Sequence, residues 1–515
     1  MGNNLKKQRS HKGKKQEDGP QHGGMAQRGV SRPMAEKETR DRMRQMEGGM
    51  GEEQREQMLT MHYRQTLWIY WLLLLLGFWM ILAPLTFDYR AGLAQPSGGR
   101  PVWLSTDARV LVMRWSDLVS GLLLVLFGWR SLTPNRPVSL WICCLVGVWL
   151  SAAPLIFWAP NGLVYLNDTL VGVLVIALTI LIPGMPNMIM YMKMGPEQPP
   201  GWTYNPSSWA QRWIMIALAF AGWLVSRYLA AFQLGYLETA WDPFFGESTK
   251  KVLNSKMSHS WPISDAGLGT LSYTFEFLMG WMGSPARWRT MPWMVAFFGF
   301  LVIPLGLTHI FLVISQPVVV GHWCTLCLLA AAIMLPMIPL EMDEVIAMFQ
   351  FMGAAKNRGT SLWQAFWKGG AMEGGGPDER SPEVMAVPQQ PGRVLRASIW
   401  GMSFPWTLMI AAALGIWLML TPAVLLTSGL TADLEHVGGA LILTVSVISM
   451  GEVARVGRYL NIPLALMVGI APWLSHNAPW AARLIDTGVA LAVIALALPK
   501  GPQTEHYGSW DKWVR

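Results

Sequence analysis

Apolar residues run in long blocks along this chain, separated by short polar turns. The blocks recur from Leu67 to Leu498 and approach or exceed membrane-spanning length. They predict helices at about 67–87, 116–133, 138–158 and 166–184, then 210–234, 266–283, 293–317 and 323–349, then 404–426, 434–453, 459–475 and 481–499. The fold class is therefore an all-α polytopic membrane protein, with about twelve transmembrane helices in three groups of four. Composition agrees: 52% of the 515 residues are hydrophobic and only 14% charged, where a soluble protein carries about 25% charge. Soluble enzyme classes are excluded.

The polar remainder divides the chain. Residues 1–66 are hydrophilic and read as a disordered basic cytoplasmic tail, with Lys6, Lys7, Arg9, Lys12, Lys14 and Lys15 clustered near its start. Its opening residues lack the apolar core of a secretory signal. It suits topology control or contact with anionic lipid headgroups, and no motif in it calls for nucleic acid. Residues 67–200 form a first membrane unit, 201–352 a second and 404–515 a third. Between the last two, 353–403 carries Gly369-Gly370, Gly374-Gly375-Gly376-Pro377, Pro388 and Pro391-Gly392, which reads as a flexible cytoplasmic linker.

Charge then sets orientation. With the tail inside, inner loops carry Arg130 and Arg136, Lys193, Arg287 and Arg289, Lys356, Arg358 and Lys368, and Arg455 and Arg458. The short outer loops 159–165, 318–322, 427–433 and 476–480 carry no Lys or Arg. Two longer outer loops are exceptions: 88–115 with Arg90, Arg100, Arg109 and Arg114, and 235–265 with Lys250, Lys251 and Lys256. The net charge of +8 follows from the tail and the short loops, so it speaks to orientation rather than to an acidic partner. Both termini are expected in the cytoplasm of a cell-membrane protein.

The outer groups repeat internally. Gly77-Phe-Trp79-Met-Ile-Leu-Ala-Pro84 is matched by Gly147-Val-Trp149-Leu-Ser-Ala-Ala-Pro154, by Gly415-Ile-Trp417-Leu-Met-Leu-Thr-Pro422, and more weakly by Gly469-Ile-Ala-Pro472. The next helix of each pair carries an acid: Asp117 before Gly121, Asp168 before Gly172, Glu435 before Gly439 and Asp486 before Gly488. Such acids can cap a helix start, and the small residues beside them allow close helix packing. Intramembrane acids also mark ion routes, which keeps a transporter among the alternatives. These repeats, with the ending Tyr507-Gly508-Ser509-Trp510, resemble the SPW-repeat family of bacterial integral membrane proteins over about 67–184 and 404–513. That resemblance implies no biochemical role.

Chemistry concentrates at Gly321-His322-Trp323-Cys324-Thr325-Leu326-Cys327, a Cys-x-x-Cys pair at the mouth of a membrane helix, placed by the charge pattern at the extracytoplasmic face. Free N–H groups and the positive dipole end at a helix start favour a thiolate. Two buried apolar thiols in a helix is the competing reading. The other cysteines, Cys143 and Cys144, lie about 9 Å deep from the opposite face at 1.5 Å per residue, too far to reach the pair. They read as packing residues. No metal site is suggested.

The middle group resembles the vitamin K epoxide reductase family over about 205–350. The carrying residues are Trp223, Ser226-Arg227-Tyr228, the loop Trp241-Asp-Pro-Phe-Phe-Gly246 with Val252-Leu253-Asn254-Ser255, then Pro262 to Gly269, Tyr273, Glu276 and His322 to Cys327. The resemblance implies a four-helix bundle around a quinone (menaquinone or ubiquinone), closed by its outer loop. It implies that Cys327 faces the quinone, that Cys324 exchanges disulfides, and that Ser255 lies near a quinone carbonyl. His309 and Trp323 are further candidates for quinone contact, and a structural His and an interfacial Trp are the alternatives. Two family loop cysteines are replaced by Trp241 and Thr249, and a frequent family tyrosine by Ala331. An internal thiol relay is therefore missing. The expected function is a membrane thiol–quinone oxidoreductase fed by an extracytoplasmic dithiol protein. The alternatives are an inactive relative serving as a scaffold or quinone/lipid-binding protein, and the transporter.

Overall fold

The apolar blocks fold as helices, and the computed structural model describes residues 52–134, 136–181, 195–382, 389–475 and 478–514. In chain order the main helices are α1 Glu52–Thr86, α2 Thr106–Ser131, α3 Pro137–Ile156, α4 Gly162–Leu181, α5 Trp209–Gln233, the short α6 Ser248–Leu253 and α7 Asp265–Gly280. Then follow α8 Pro292–Val320, α9 Thr325–Asn357, the short α10 Leu362–Lys368 and α11 Pro391–Ala397, α12 Trp406–Leu425, α13 Leu430–Ile448, α14 Glu452–Leu474 and α15 Trp480–Ala497. Eleven of the described helices are long and apolar enough to cross a membrane. The twelfth expected span, α7, has 16 residues, about 24 Å at 1.5 Å per residue, against a hydrocarbon core about 30 Å thick. It ends early because the chain turns back through Gly283, at φ 84°.

Three cores hold three bundles. Ile69, Leu73, Met80, Leu124, Leu150 and Val175 fill α1–α4. Met215, Tyr273, Met294, Phe298, Met334 and Met337 fill the bundle of α5, α7, α8 and α9. Leu418, Ile442, Ala465, Val468 and Val493 fill α12–α15. Helix α1 begins at Glu52, inside the stretch expected as tail. The cluster from Lys6 to Lys15 lies outside the described residues. In its described parts, segment 353–403 packs on the second bundle: Gly370 N–H donates to the Arg289 carbonyl at 3.0 Å, and Trp367 stacks on Trp293.

The repeated glycines are contact points. A methyl group on Gly121 would fall 2.7 Å from the Gly77 carbonyl oxygen, one on Gly172 2.7 Å from that of Gly147, and one on Gly439 2.5 Å from that of Gly415. In the fourth pair Gly469 faces Ala490 rather than Gly488. Ala490 stands four residues after Asp486, which is the helical spacing of the other three pairs.

The repeat acids do not cap helices, contrary to expectation. Ser105 caps α2, accepting the Ala108 N–H at 3.3 Å, and the acids sit well inside α2, α4, α13 and α15. Instead they meet in pairs. Asp117 and Asp168 lie within hydrogen-bonding reach of each other, as do Glu435 and Asp486, and all four are fully buried. Such a bond needs a proton on one partner. Tyr89 also donates to Asp117, and Thr427 donates to Glu435 at 2.6 Å.

Buried polar contacts join the bundles. On the face away from the Cys pair, Arg287 is bound to Glu344 at 2.6 Å inside the second bundle. Tyr204 donates to Asp343 at 2.5 Å and Tyr507 to Glu452 at 3.0 Å, while Gln350 holds the Tyr507 carbonyl at 2.8 Å. The chain's final segment thus ties the third bundle to the second. On the Cys face, the 88–105 loop of the first bundle reaches the second. Arg100 donates to the carbonyls of Ser258, Trp261 and Ile263, and Trp158 donates to that of Pro262.

Overpacking a tight helix contact costs about 1–3 kcal/mol. Gly121→Leu is therefore expected to lower the thermal stability of the detergent-solubilised protein. Gly488→Leu is expected to leave it unchanged, because among the described residues no atom outside its own stretch of helix lies within 4 Å of a methyl group placed there. Melting curves of the two variants check this.

Candidate redox site

The site is built at the start of α9. Helix α8 ends in a wide five-residue turn, Gln316–Val320, containing Pro317, which has no N–H to continue the helical ladder. Gly321 then reverses the chain at φ 73°, a conformation that favours glycine. His322 and Trp323 lead into Cys324, which is extended and caps α9. Its sulfur accepts the Cys327 N–H at 3.1 Å, and the two cysteines are disulfide-bonded with Cα atoms 5.2 Å apart. Both are buried among Leu229, Phe232, Val252, Leu253, Val313 and Leu326.

A helix start leaves four N–H groups without intrahelical partners. Here three are taken by named acceptors. Cys324 N–H donates to Gln316 Oε1 at 3.2 Å, Thr325 N–H to Thr249 Oγ1 at 3.2 Å, and Cys327 N–H to the Cys324 sulfur. Thr249 is fully buried, whereas Trp241 is 61% exposed. Beside it Asp242 accepts the Thr325 hydroxyl and the N–H groups of Phe245 and Thr249, each N–H at 2.9 Å. Burial pushes this carboxyl up, but hydrogen bonds from Thr325, Phe245 and Thr249 outweigh it and hold the pKa at about 2. The loop between α5 and α7 is thus docked on the Cys-x-x-Cys helix by hydrogen bonds.

The other candidates fall at different depths. Ser255 Oγ accepts the Ser258 N–H at 3.3 Å, which leaves its own proton to donate. That loop is pinned at its base by Gln233, which bonds Ser258, Ser264 and Asp265, and by Arg100 from the first bundle. Trp323 stacks on Phe245 with centroids 6.2 Å apart. His309 sits deeper, edge-on to Tyr273 at 6.4 Å, and Tyr273 donates to the Ala330 carbonyl at 3.2 Å. Among the described residues, no donor reaches the buried carboxyl group of Glu276. Cys143 and Cys144 are free, with Cys143 in the core of the first bundle. Among the described residues, no three His, Cys, Asp or Glu side chains gather to hold a metal ion.

Sequence reasoning passed over Gln316 and Asp242. Both left a signal: each is a polar residue placed directly before a proline, Pro317 and Pro243, next to an apolar or aromatic run.

The disulfide thus lies in a helix cap, under a hydrogen-bonded loop in a four-helix membrane bundle. Residues 213–342 match the vitamin K epoxide reductase family model, from α5 through the first half of α9. The chain therefore carries a vitamin K epoxide reductase family domain within a multi-pass, all-helical membrane protein. Neither a curated protein nor a solved structure matches the chain.

The Asp242 carboxyl binds its proton less readily in the folded loop than in an unfolded chain, where its pKa is about 4. Its contribution to loop docking is therefore present above about pH 4 and lost as pH falls towards about 2. Protection of the Phe245 and Thr249 amides from exchange, taken relative to an unstructured peptide at the same pH, is expected to fall over that window, and to be lower already at neutral pH in Asp242→Ala. Unchanged protection in both cases would refute the docking role.

Proposed function

We propose that this protein is a membrane thiol–quinone oxidoreductase. The observation that carries the reading is the bonded Cys324–Cys327 pair capping α9 inside the family-matched bundle. A quinone supplies a two-electron, two-proton acceptor. Oxidation of the Cys324/Cys327 dithiol to the disulfide releases two electrons and two protons, which quinone takes up as quinol. A dithiol on a partner protein then reduces the disulfide and is itself oxidised. Cys327, on the helix side of the pair, serves the quinone, and Cys324, at the chain turn, exchanges with the partner.

The surroundings fit a quinone. The pair borders an apolar cluster of Leu229, Val252, Leu253 and Leu326 that suits a ring and its hydrocarbon tail. Ser255 keeps a hydroxyl proton for a carbonyl oxygen. Trp323 and His309 stand as further contacts, at the mouth and deeper in the bundle. Since Trp241 and Thr249 cannot exchange disulfides, electrons enter from outside the chain rather than through its loop.

Orientation follows from the short basic loops, with the Cys pair extracytoplasmic and the termini cytoplasmic. Two arginines of the exceptional 88–115 loop are buried ties to backbone carbonyls. Arg100 holds the 258–263 loop, and Arg109 holds Trp158 and Ala159. Their charge serves the fold and does not signal topology.

In membranes supplied with dithiothreitol and a short-chain quinone, Cys324→Ser and Cys327→Ser are each expected to reduce quinone turnover to background. Ser255→Ala is expected to raise the quinone KM about three- to tenfold, the worth of one hydrogen bond of about 1 kcal/mol. Wild-type turnover in either cysteine variant would overturn the proposal.

A further inference from the structure

Helix α13 belongs to the third bundle, yet it carries one side chain into the redox site. His436 is 3% exposed. Its Nε2 lies 3.0 Å from the carbonyl oxygen of Ile314, at the end of α8. Its ring meets Trp323 edge-on, with centroids 4.8 Å apart and planes at 84°. Trp323 is the residue before Cys324, and its indole is stacked on Phe245 of the outer loop. The same wide turn that follows Ile314 supplies Gln316, whose side chain accepts the Cys324 N–H. One imidazole therefore touches both arms of the reversal at Gly321: the incoming helix through Ile314 and the outgoing strand through Trp323.

We infer that His436 is a positioning residue for the Cys324/Cys327 pair, acting through Trp323, so that the third bundle is a working part of the redox site. This rests on the thiol–disulfide reading given above. Cys324 holds its cap geometry only while the strand before it is fixed. In that geometry its sulfur receives the Cys327 N–H and lies at the positive end of the α9 dipole. Both favour the thiolate, and hence the reduced pair over the disulfide. Releasing Trp323 removes that preference and shifts the pair towards the disulfide.

The test equilibrates full-length protein with glutathione buffers and counts alkylated thiols by mass. Protein disulfide plus two glutathione thiols gives protein dithiol plus glutathione disulfide. His436→Leu is expected to move this equilibrium about tenfold towards the protein disulfide, equivalent to about 30 mV. His436→Gln, which keeps an N–H for Ile314, and His436→Phe, which keeps a ring edge for Trp323, are expected to shift it less. In a Trp323→Leu background, His436→Leu should add no further shift, because the effect runs through the indole. An unshifted equilibrium in folded His436→Leu, or in both His436→Gln and His436→Phe should His436→Leu fail to fold, overturns the inference, as does full additivity with Trp323→Leu. A wild-type pair that glutathione cannot cycle at any ratio overturns the redox reading itself, and is told apart by the wild-type trace alone.

Discussion

The unpaired N–H groups at the start of α9 are the constraint around which this molecule is arranged. A buried helix start must find acceptors for them. Here the acceptors come from separate parts of the chain: the Cys324 sulfur from the cap itself, Gln316 from the end of α8, and Thr249 from the loop between α5 and α7. Satisfying one helix end thereby fixes the cysteine pair, the reversal at Gly321 and the loop above them. Asp242 extends the arrangement by holding Thr325 and the loop amides together.

This arrangement explains how the domain keeps its loop closed: the Thr249 hydroxyl ties it to the helix start by a hydrogen bond. The first bundle adds Arg100 and its carbonyl contacts, and the third adds His436 against Trp323. On the opposite face, Gln350 of the second bundle holds the Tyr507 carbonyl of the third, and Trp202 packs edge-on against the Tyr507 ring. The second bundle is thus braced at both ends by its neighbours.

Much of this was legible in the sequence because membrane helices leave a strong signal. The twelve blocks fall on the observed helices, with α7 shortened by the turn through Gly283, and Cys324 and Cys327 were visible from their spacing at a helix mouth. Proximity between distant segments left little trace. Nothing in the periodicity of α13 says that His436 meets Trp323, or that Arg100 spans to the 258–263 loop, since such contacts are set by how bundles dock. The repeat acids were visible, but their pairing was not. A helix start placed too late made Asp117 look like a cap, whereas eleven residues into α2 it can only face its neighbours.

In the proposed function, Cys324 and Cys327 cycle between dithiol and disulfide against a membrane quinone. The most direct measurement is the thiol state of the two cysteines in native membranes, read by alkylation before and after quinone depletion. A disulfide is expected when quinone is present, with free thiols accumulating once it is removed. A disulfide that persists without quinone, or thiols that stay reduced in its presence, would contradict that function.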